Sequence, residues 1–287
     1  MKKRKSALLL AAVLTASLLT ACSPGAQEGQ EETAKSEGEA QEKTFIFGDT
    51  TFNAENGEAD INPHKDSGGW PCIRYGVGET LFRFSDTMEI EPWLATDYQN
   101  PDELTWVITL RDGVTFSNGR PMDAEAVKEC LDALTADHER AAGDLHIAQI
   151  TADGQTLTIR TEEPVPALIN YLADPYGCII DMDAGISEEG IVVGTGPYQA
   201  VSLETDTRLE LVKNENYWDG EPKIDKITVR TISDGDTLTM ALQSGEIDAA
   251  YGMPYASYPL FDNDQYTFSS TATSRVFFGA MNYESEI

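Results

Sequence analysis

The chain has 287 residues and carries 49 Asp and Glu against 20 Lys and Arg, a formal charge of −29 at neutral pH. A surface this acidic argues against nucleic acid as a partner and against adhesion to anionic lipid headgroups, since both need cationic side chains. Beyond the N-terminal segments described next, about 240 residues remain, enough for one large or two ordinary domains.

Lys2, Lys3, Arg4 and Lys5 precede a short apolar stretch, 6–19, the pattern of a secretory signal and too short for a comfortable membrane span. Leu19-Thr20-Ala21-Cys22 reads as a lipobox. Cys22 is therefore expected to be lipidated and to become the first mature residue, holding an exported domain at the membrane surface through its acyl chains. Residues 23–43 are Glu, Gln, Gly, Ser and Ala with almost nothing apolar to bury, and read as a disordered acidic spacer.

Residues 44–51 (TFIFGDTT) read as a first strand, and 53–69, rich in Asn, Asp, Gly and Pro, as a long loop. Ile73, Val77, Leu81 and Phe84 recur at helical spacing, so 72–84 is predicted as a helix, weakened by Gly76 and Gly78. Residues 104–111 alternate, with Trp106, Ile108 and Leu110 on one face of a strand closed by the Asp112-Gly113 turn. Asp123 is placed to cap a helix over 124–134 whose apolar stripe is Val127, Cys130, Leu131 and Leu134. A hairpin follows over 149–161 with its turn at Asp153-Gly154, then a short helix over 164–173. A second hairpin is predicted over 198–213, a strand over 224–232, and a helix over 237–243 capped by Asp234 or Asp236 and ended by Gly245. Strands over 246–251 and 275–282 complete a mixed α and β pattern with no internal repeat. Beyond Cys22 there are three cysteines, Cys72, Cys130 and Cys178, with no CxxC pair. They allow at most one internal disulfide; Cys130 reads as core, and the spacing leaves the pairing open.

Several stretches are more specific. Pro92-Trp93-Leu94-Ala95 is followed by TWVITL (105–110), RDGVTFSNG (111–119), Gly194-Thr195-Gly196-Pro197-Tyr198, VKNENYWDGEPKIDKITVR (212–230) and ALQSGEIDAAYG (241–252). In this order they resemble the family 5 solute-binding proteins of ABC importers, the oligopeptide, dipeptide and nickel receptors, from about Thr44 to the last residues. Read as residues alone, most of these motifs specify a scaffold: Gly113 and Gly119 suit turn positions with positive φ, and the Tyr217-Trp218 pair suits a clamp of a surface loop onto the core.

The resemblance implies an α/β, type II periplasmic-binding-protein clam-shell of two lobes that close on ligand. Lobe I would comprise 44–84 and 186–270, with an extra subdomain at 85–185, after a signal at 1–21 and a spacer at 22–43. Residues 271–287 would begin the crossover to lobe II, so the chain as given would hold most of lobe I and almost none of lobe II, as a gene fragment or incomplete reading frame would. The loop from Ile61 to Trp70 matches a position that lines the cleft, so the resemblance nominates His64, Asp66, Ser67 and Trp70. Trp70 either presents a rigid aromatic wall or packs on the following helix, and His64 reads as a turn-stabilising residue rather than a metal ligand. Asp174 and Tyr176 complete the set, standing where the nickel type places an arginine for an anionic chelate. With no arginine in 172–177, a cationic or zwitterionic ligand is expected to fit better. His138 and His146, eight apart, make no metal signature.

Catalysis is the rival class. Gly194-Thr195-Gly196 lacks the following GK[ST] of a phosphate loop, and no GxSxG, HExxH or SxxK appears. What the resemblance implies is a lipid-anchored, monomeric receptor of an ABC permease for small peptides or a nickel complex. No catalytic residue, protein-held metal or cofactor is expected. A secreted hydrolase or a non-functional half-receptor are the alternatives.

Overall fold

The structure, a computed structural model, describes residues 42–269 and Gly279. Cys22, the spacer up to residue 41 and the expected strand over 275–282, apart from Gly279, lie outside the described residues.

The chain opens with β1 (Thr44–Asp49) and crosses the expected loop, broken only by a 3-10 turn at Ala54–Asn56 capped by the Asn53 side chain. It then forms α1 (Gly69–Arg74), β2 (Phe82–Phe84), β3 (Ile90–Pro92), β4 (Ala95–Asp102) and β5 (Thr105–Leu110). Next come α2 (Ala124–Asp137), α3 (Glu139–Leu145), the hairpin of β6 (Ile147–Asp153) and β7 (Thr156–Thr161) and α4 (Leu168–Tyr171). The remainder holds β8 (Tyr198–Glu204), β9 (Arg208–Lys213), β10 (Lys226–Thr231), α5 (Gly235–Ser244) and β11 (Ala249–Tyr251).

Two expected helices are corrected. The 72–84 pattern yields only α1, because Gly76 turns left-handed at φ 70° and the chain leaves the helix before Val77. Val77 and Leu81 are buried from outside any helix, while Ile73 and Phe84, the other two members of the supposed stripe, are exposed. Only one turn of the expected 164–173 helix forms, as α4.

The elements build three sheets. In the five-stranded sheet, ordered β11-β1-β10-β9-β8, β1 runs parallel to both β10 and β11, and β10, β9 and β8 are antiparallel. α5 connects β10 to β11 and lies directly on β1: a Cβ at Gly48 would sit 2.6 Å from Ile247 Cδ1 and 2.7 Å from Leu238 Cδ1. Asp234 accepts from Thr237 N at 2.8 Å to start α5, and Gly245 ends it at φ 74°. The four-stranded antiparallel sheet, ordered β4-β5-β7-β6, buries Trp106, Ile108 and Leu110 of β5, as the alternation requires, against the α2 stripe of Val127, Cys130, Leu131 and Leu134. The third sheet pairs β2 with β3. No helix among the described residues is long and apolar enough to cross a membrane.

One ion-paired cluster ties the SNG turn to the chain beyond Cys178. Asn118 Nδ2 donates to Asp181 at 2.7 Å, Arg120 donates to the same carboxylate, and the other Arg120 nitrogen reaches Glu129 on α2 at 2.9 Å. Burial pushes the Asp181 carboxyl up, but Asn118 and Arg120 outweigh it and hold its pKa below the ordinary value. A carboxyl depressed by folding contributes stability that is present above its unfolded pKa, about 3.9, and is lost as pH falls through its folded value. Asp181→Asn is therefore expected to cost about 1–2 kcal/mol at pH 7 in denaturant unfolding, with the gap to wild type closing as pH falls below the ordinary carboxylate range.

Candidate functional site

α3 is the element that assembles the site. The His138 side chain caps it, with Nδ1 accepting from Ala141 N at 3.2 Å, which leaves the ring proton on Nε2 to donate to the Asp66 carbonyl at 3.3 Å. Asp66 takes the left-handed conformation, φ 46°, which a short polar side chain tolerates. Two residues past His138, Arg140 reaches out of the helix. Its Nη2 lies 2.6 Å from Asp174 Oδ2, its Nε 3.3 Å from Asp144 Oδ2, and its guanidinium carbon 5.1 Å from the Tyr176 ring centre. The buried Tyr176 donates its hydroxyl to Asp144 at 3.1 Å and sets its ring 5.3 Å from that of His138. Burial, then Asp144 beside it, pushes the phenol well above its usual range, so it stays a donor.

The 3-10 turn at Pro175–Gly177 packs under α1 with no room for a side chain between them: a Cβ at Gly69 would sit 2.4 Å from the Pro175 carbonyl oxygen. Trp70, next in α1, is 48% exposed, so it does not bury itself against the helix. Ser67 accepts from Trp70 N through its carbonyl at 3.0 Å.

The far end of α1 meets the carboxyl ends of β1 and β11, where open α/β sheets present their crevices. Asp49, wholly buried at the end of β1, accepts from Tyr75 Oη at 2.8 Å, Thr51 N at 2.6 Å and Arg74 Nη1 at 3.2 Å. Arg74 also pairs with Glu58 at 2.8 Å and lies 4.8 Å from the Tyr251 ring centre. A cavity of about 980 Å³ beside β11 is lined by Phe47, Thr51, Tyr251, Met253, Tyr258 and Phe268 among others.

Of the six residues nominated from sequence, Asp66, Asp174 and Tyr176 are brought into one cluster, with Ser67 and Trp70 adjoining it along the chain. His64 is not on an open face. It is 3% exposed, its Nε2 lies 3.6 Å from Cys130 Sγ, and burial holds its pKa down at about 4. Segment 172–177 holds no arginine, as its sequence says, but Arg140 of α3 brings a guanidinium to Asp174 from outside it. Arg140, Asp144 and His138 were missed as site residues, because Arg140 is supplied by an element 34 residues upstream. The signal available was the i,i+4 pair of Arg140 and Asp144, which marks a helix surface.

Residues 89–287 match the model of the bacterial extracellular solute-binding proteins, family 5. The chain belongs to this family. It is 35% identical over 193 residues to the nickel-binding protein NikA of Staphylococcus aureus, a match covering 67% of this chain and 39% of that protein. It is 37% identical over 185 residues to the glutathione-binding protein GsiB of Salmonella paratyphi A, covering 61% of this chain and 36% of that protein. The fold superposes on the crystal structure of Staphylococcus aureus NikA in complex with Ni(L-His)2 with a TM-score of 0.72 and 32% identity, covering 78% of this chain and 46% of that one. The chain thus spans under half the length of these family 5 relatives. Its fold is α/β, of the type II periplasmic-binding-protein class. Family 5 members are extracellular binding proteins rather than enzymes.

Proposed function

We propose that this family 5 chain is the receptor of an ABC importer and takes a small zwitterionic ligand, a short peptide or an amino-acid complex of nickel, for delivery to its permease. The observation that carries the reading is Arg140 between Asp144 and Asp174. Its side chain is 57% exposed, so a guanidinium edge faces solvent beside two carboxylates and the Tyr176 ring. The edge suits a ligand carboxylate, and the flanking acids suit an ammonium or a cationic centre. Partial burial pulls the Arg140 pKa down, but Asp174, with Tyr176 and Asp144, holds it above its ordinary value, so it keeps its charge. Among the described residues no group of three His, Cys, Asp or Glu is placed to hold a metal ion, so nickel would arrive with its donors supplied by the ligand. In this reading the five-stranded sheet belongs to lobe I, 85–185 is its extra subdomain, and Cys22 carries the lipid that keeps the monomeric receptor near its permease.

Calorimetric titration of the full chain with nickel(II)–L-histidine and with a tripeptide is expected to give saturable heat with one of them. Arg140→Ala should weaken that binding about 10- to 100-fold, as loss of a charge-assisted pair of hydrogen bonds does. Binding that Arg140→Ala leaves unchanged would remove this cluster as the site. No heat from either ligand would discard the reading.

A further inference from the structure

A buried group of sulfurs takes no part in the site above. Cys72 lies in α1, Cys130 in α2, and Cys178 follows the Pro175–Gly177 turn; all three are buried thiols. The close approach of Gly69 to Pro175 brings the backbones of α1 and the turn together, and Cys72 is three residues further along α1. A Cβ at Gly78 would lie 2.7 Å from Cys72 Sγ, 3.2 Å from Cys178 Sγ and 3.1 Å from Cys178 Cβ. Both sulfurs thus face the same bare Cα. Cys130 is engaged elsewhere: its Sγ lies 3.6 Å from His64 Nε2 and 3.6 Å from the Cys178 carbonyl, and accepts from Ile180 N at 3.4 Å.

We propose that Cys72 and Cys178 are a disulfide-forming pair and that Cys130 remains a free thiol. The receptor reading enters only in where the bond persists, since protein disulfides last in oxidising extracytoplasmic surroundings and are kept reduced in the cytosol. The oxidant is a low-molecular-weight disulfide. One cysteine thiolate attacks it and releases the first reduced thiol; the second cysteine then attacks the mixed disulfide and releases the other. The pair loses two electrons and two protons, which leave on the two reduced thiols. Burial pushes the Cys178 thiol well above its ordinary range, so exchange proceeds while folding or local opening exposes the pair. The bond would close a loop of roughly a hundred residues, and would tie the helix bearing Trp70 to the turn beside Asp174 and Tyr176.

Trypsin places the three cysteines in separate peptides, 66–74, 129–140 and 161–208. The reduced full chain is incubated with oxidised glutathione in mild denaturant, returned to buffer, alkylated after unfolding, and mapped without reduction. Peptide 66–74 is expected to be linked to 161–208, with 129–140 alkylated. The thermal midpoint of the oxidised chain should exceed that of the reduced chain by roughly 5–10 °C, a difference that Cys178→Ala abolishes. Three alkylated peptides, glutathione retained on 66–74 or 161–208, any link through 129–140, or a midpoint shift that survives Cys178→Ala would overturn the proposal. The map needs neither ligand nor compartment, so its outcome is separate from that of the titration.

Discussion

Replacing Glu79 with glutamine is expected to lower the unfolding free energy by about 3–5 kcal/mol. The Glu79 carboxylate is 8% exposed and receives four side-chain donors. Trp93 Nε1 and Tyr217 Oη donate to Oε1 at 2.8 and 3.0 Å. Thr195 Oγ1 and Trp218 Nε1 donate to Oε2 at 2.8 and 2.9 Å. Burial pushes the carboxyl up, and these four donors pull against that push. A glutamine keeps the shape but turns one oxygen into an NH2, which then faces two donors. The hydroxyls of Thr195 or Tyr217 can rotate away, whereas an indole N–H cannot, so at least one buried donor is orphaned whichever way the amide is set. Denaturant unfolding with far-ultraviolet circular dichroism measures the loss. Tryptophan fluorescence reports on the site itself, because Trp93 and Trp218 pack edge to face with centroids 5.1 Å apart. A loss under 1 kcal/mol would mean that the four donors find other partners.

This carboxylate ties three of the sequence motifs together in this chain. Trp93 belongs to PWLA, Thr195 to GTGPY, and Tyr217-Trp218 to NENYWDG, and all three end on one side chain. The Tyr-Trp pair does clamp its loop onto the core, as its amphipathic rings suggest, but the anchor was not legible. Its partners lie 14 to 139 residues from Glu79, and nothing local in GETLF signals a hub. The same limit governs the candidate site. Elements whose pattern is set by one buried face were readable: β5 from its alternation, α2 from its stripe and the Asp123 cap, α5 from Asp234 and Gly245. α1 was overextended because the apolar residues on either side of Gly76 happen to keep helical spacing while the backbone does not. α3 was missed because only Ala141 and Leu145 are buried in seven residues, too few to set a period. With α3 went Arg140, and with Arg140 the charge balance around Asp174.

Gly194→Ala tests the other half of the motif set, and is expected to destabilise by about 3 kcal/mol although the substitution adds one methyl. Segment 194–198 runs along the backbone of 76–78: Gly196 N donates to the Val77 carbonyl at 3.0 Å, and Tyr198 N to that of Gly76 at 2.9 Å. A Cβ at Gly194 would lie 2.1 Å from the Val77 carbonyl oxygen, and one at Gly196 2.2 Å from that of Gly76. The obstacle is main chain, which cannot swing aside as a side-chain tip can, so one segment must move off the other. Moving it also drags Thr195 away from Glu79. The two glycines of GTG thus serve close backbone packing, and the motif holds a cross-brace rather than a phosphate. Gly143→Ala in α3 is the matched control: nothing lies within 4 Å of its Cβ, and alanine there should add up to about 1 kcal/mol through helix propensity. If Gly194→Ala unfolds at the wild-type midpoint in the same denaturant series, the two segments are not held as closely as their hydrogen bonds imply, and the brace between Glu79 and the GTG turn would have to be redrawn.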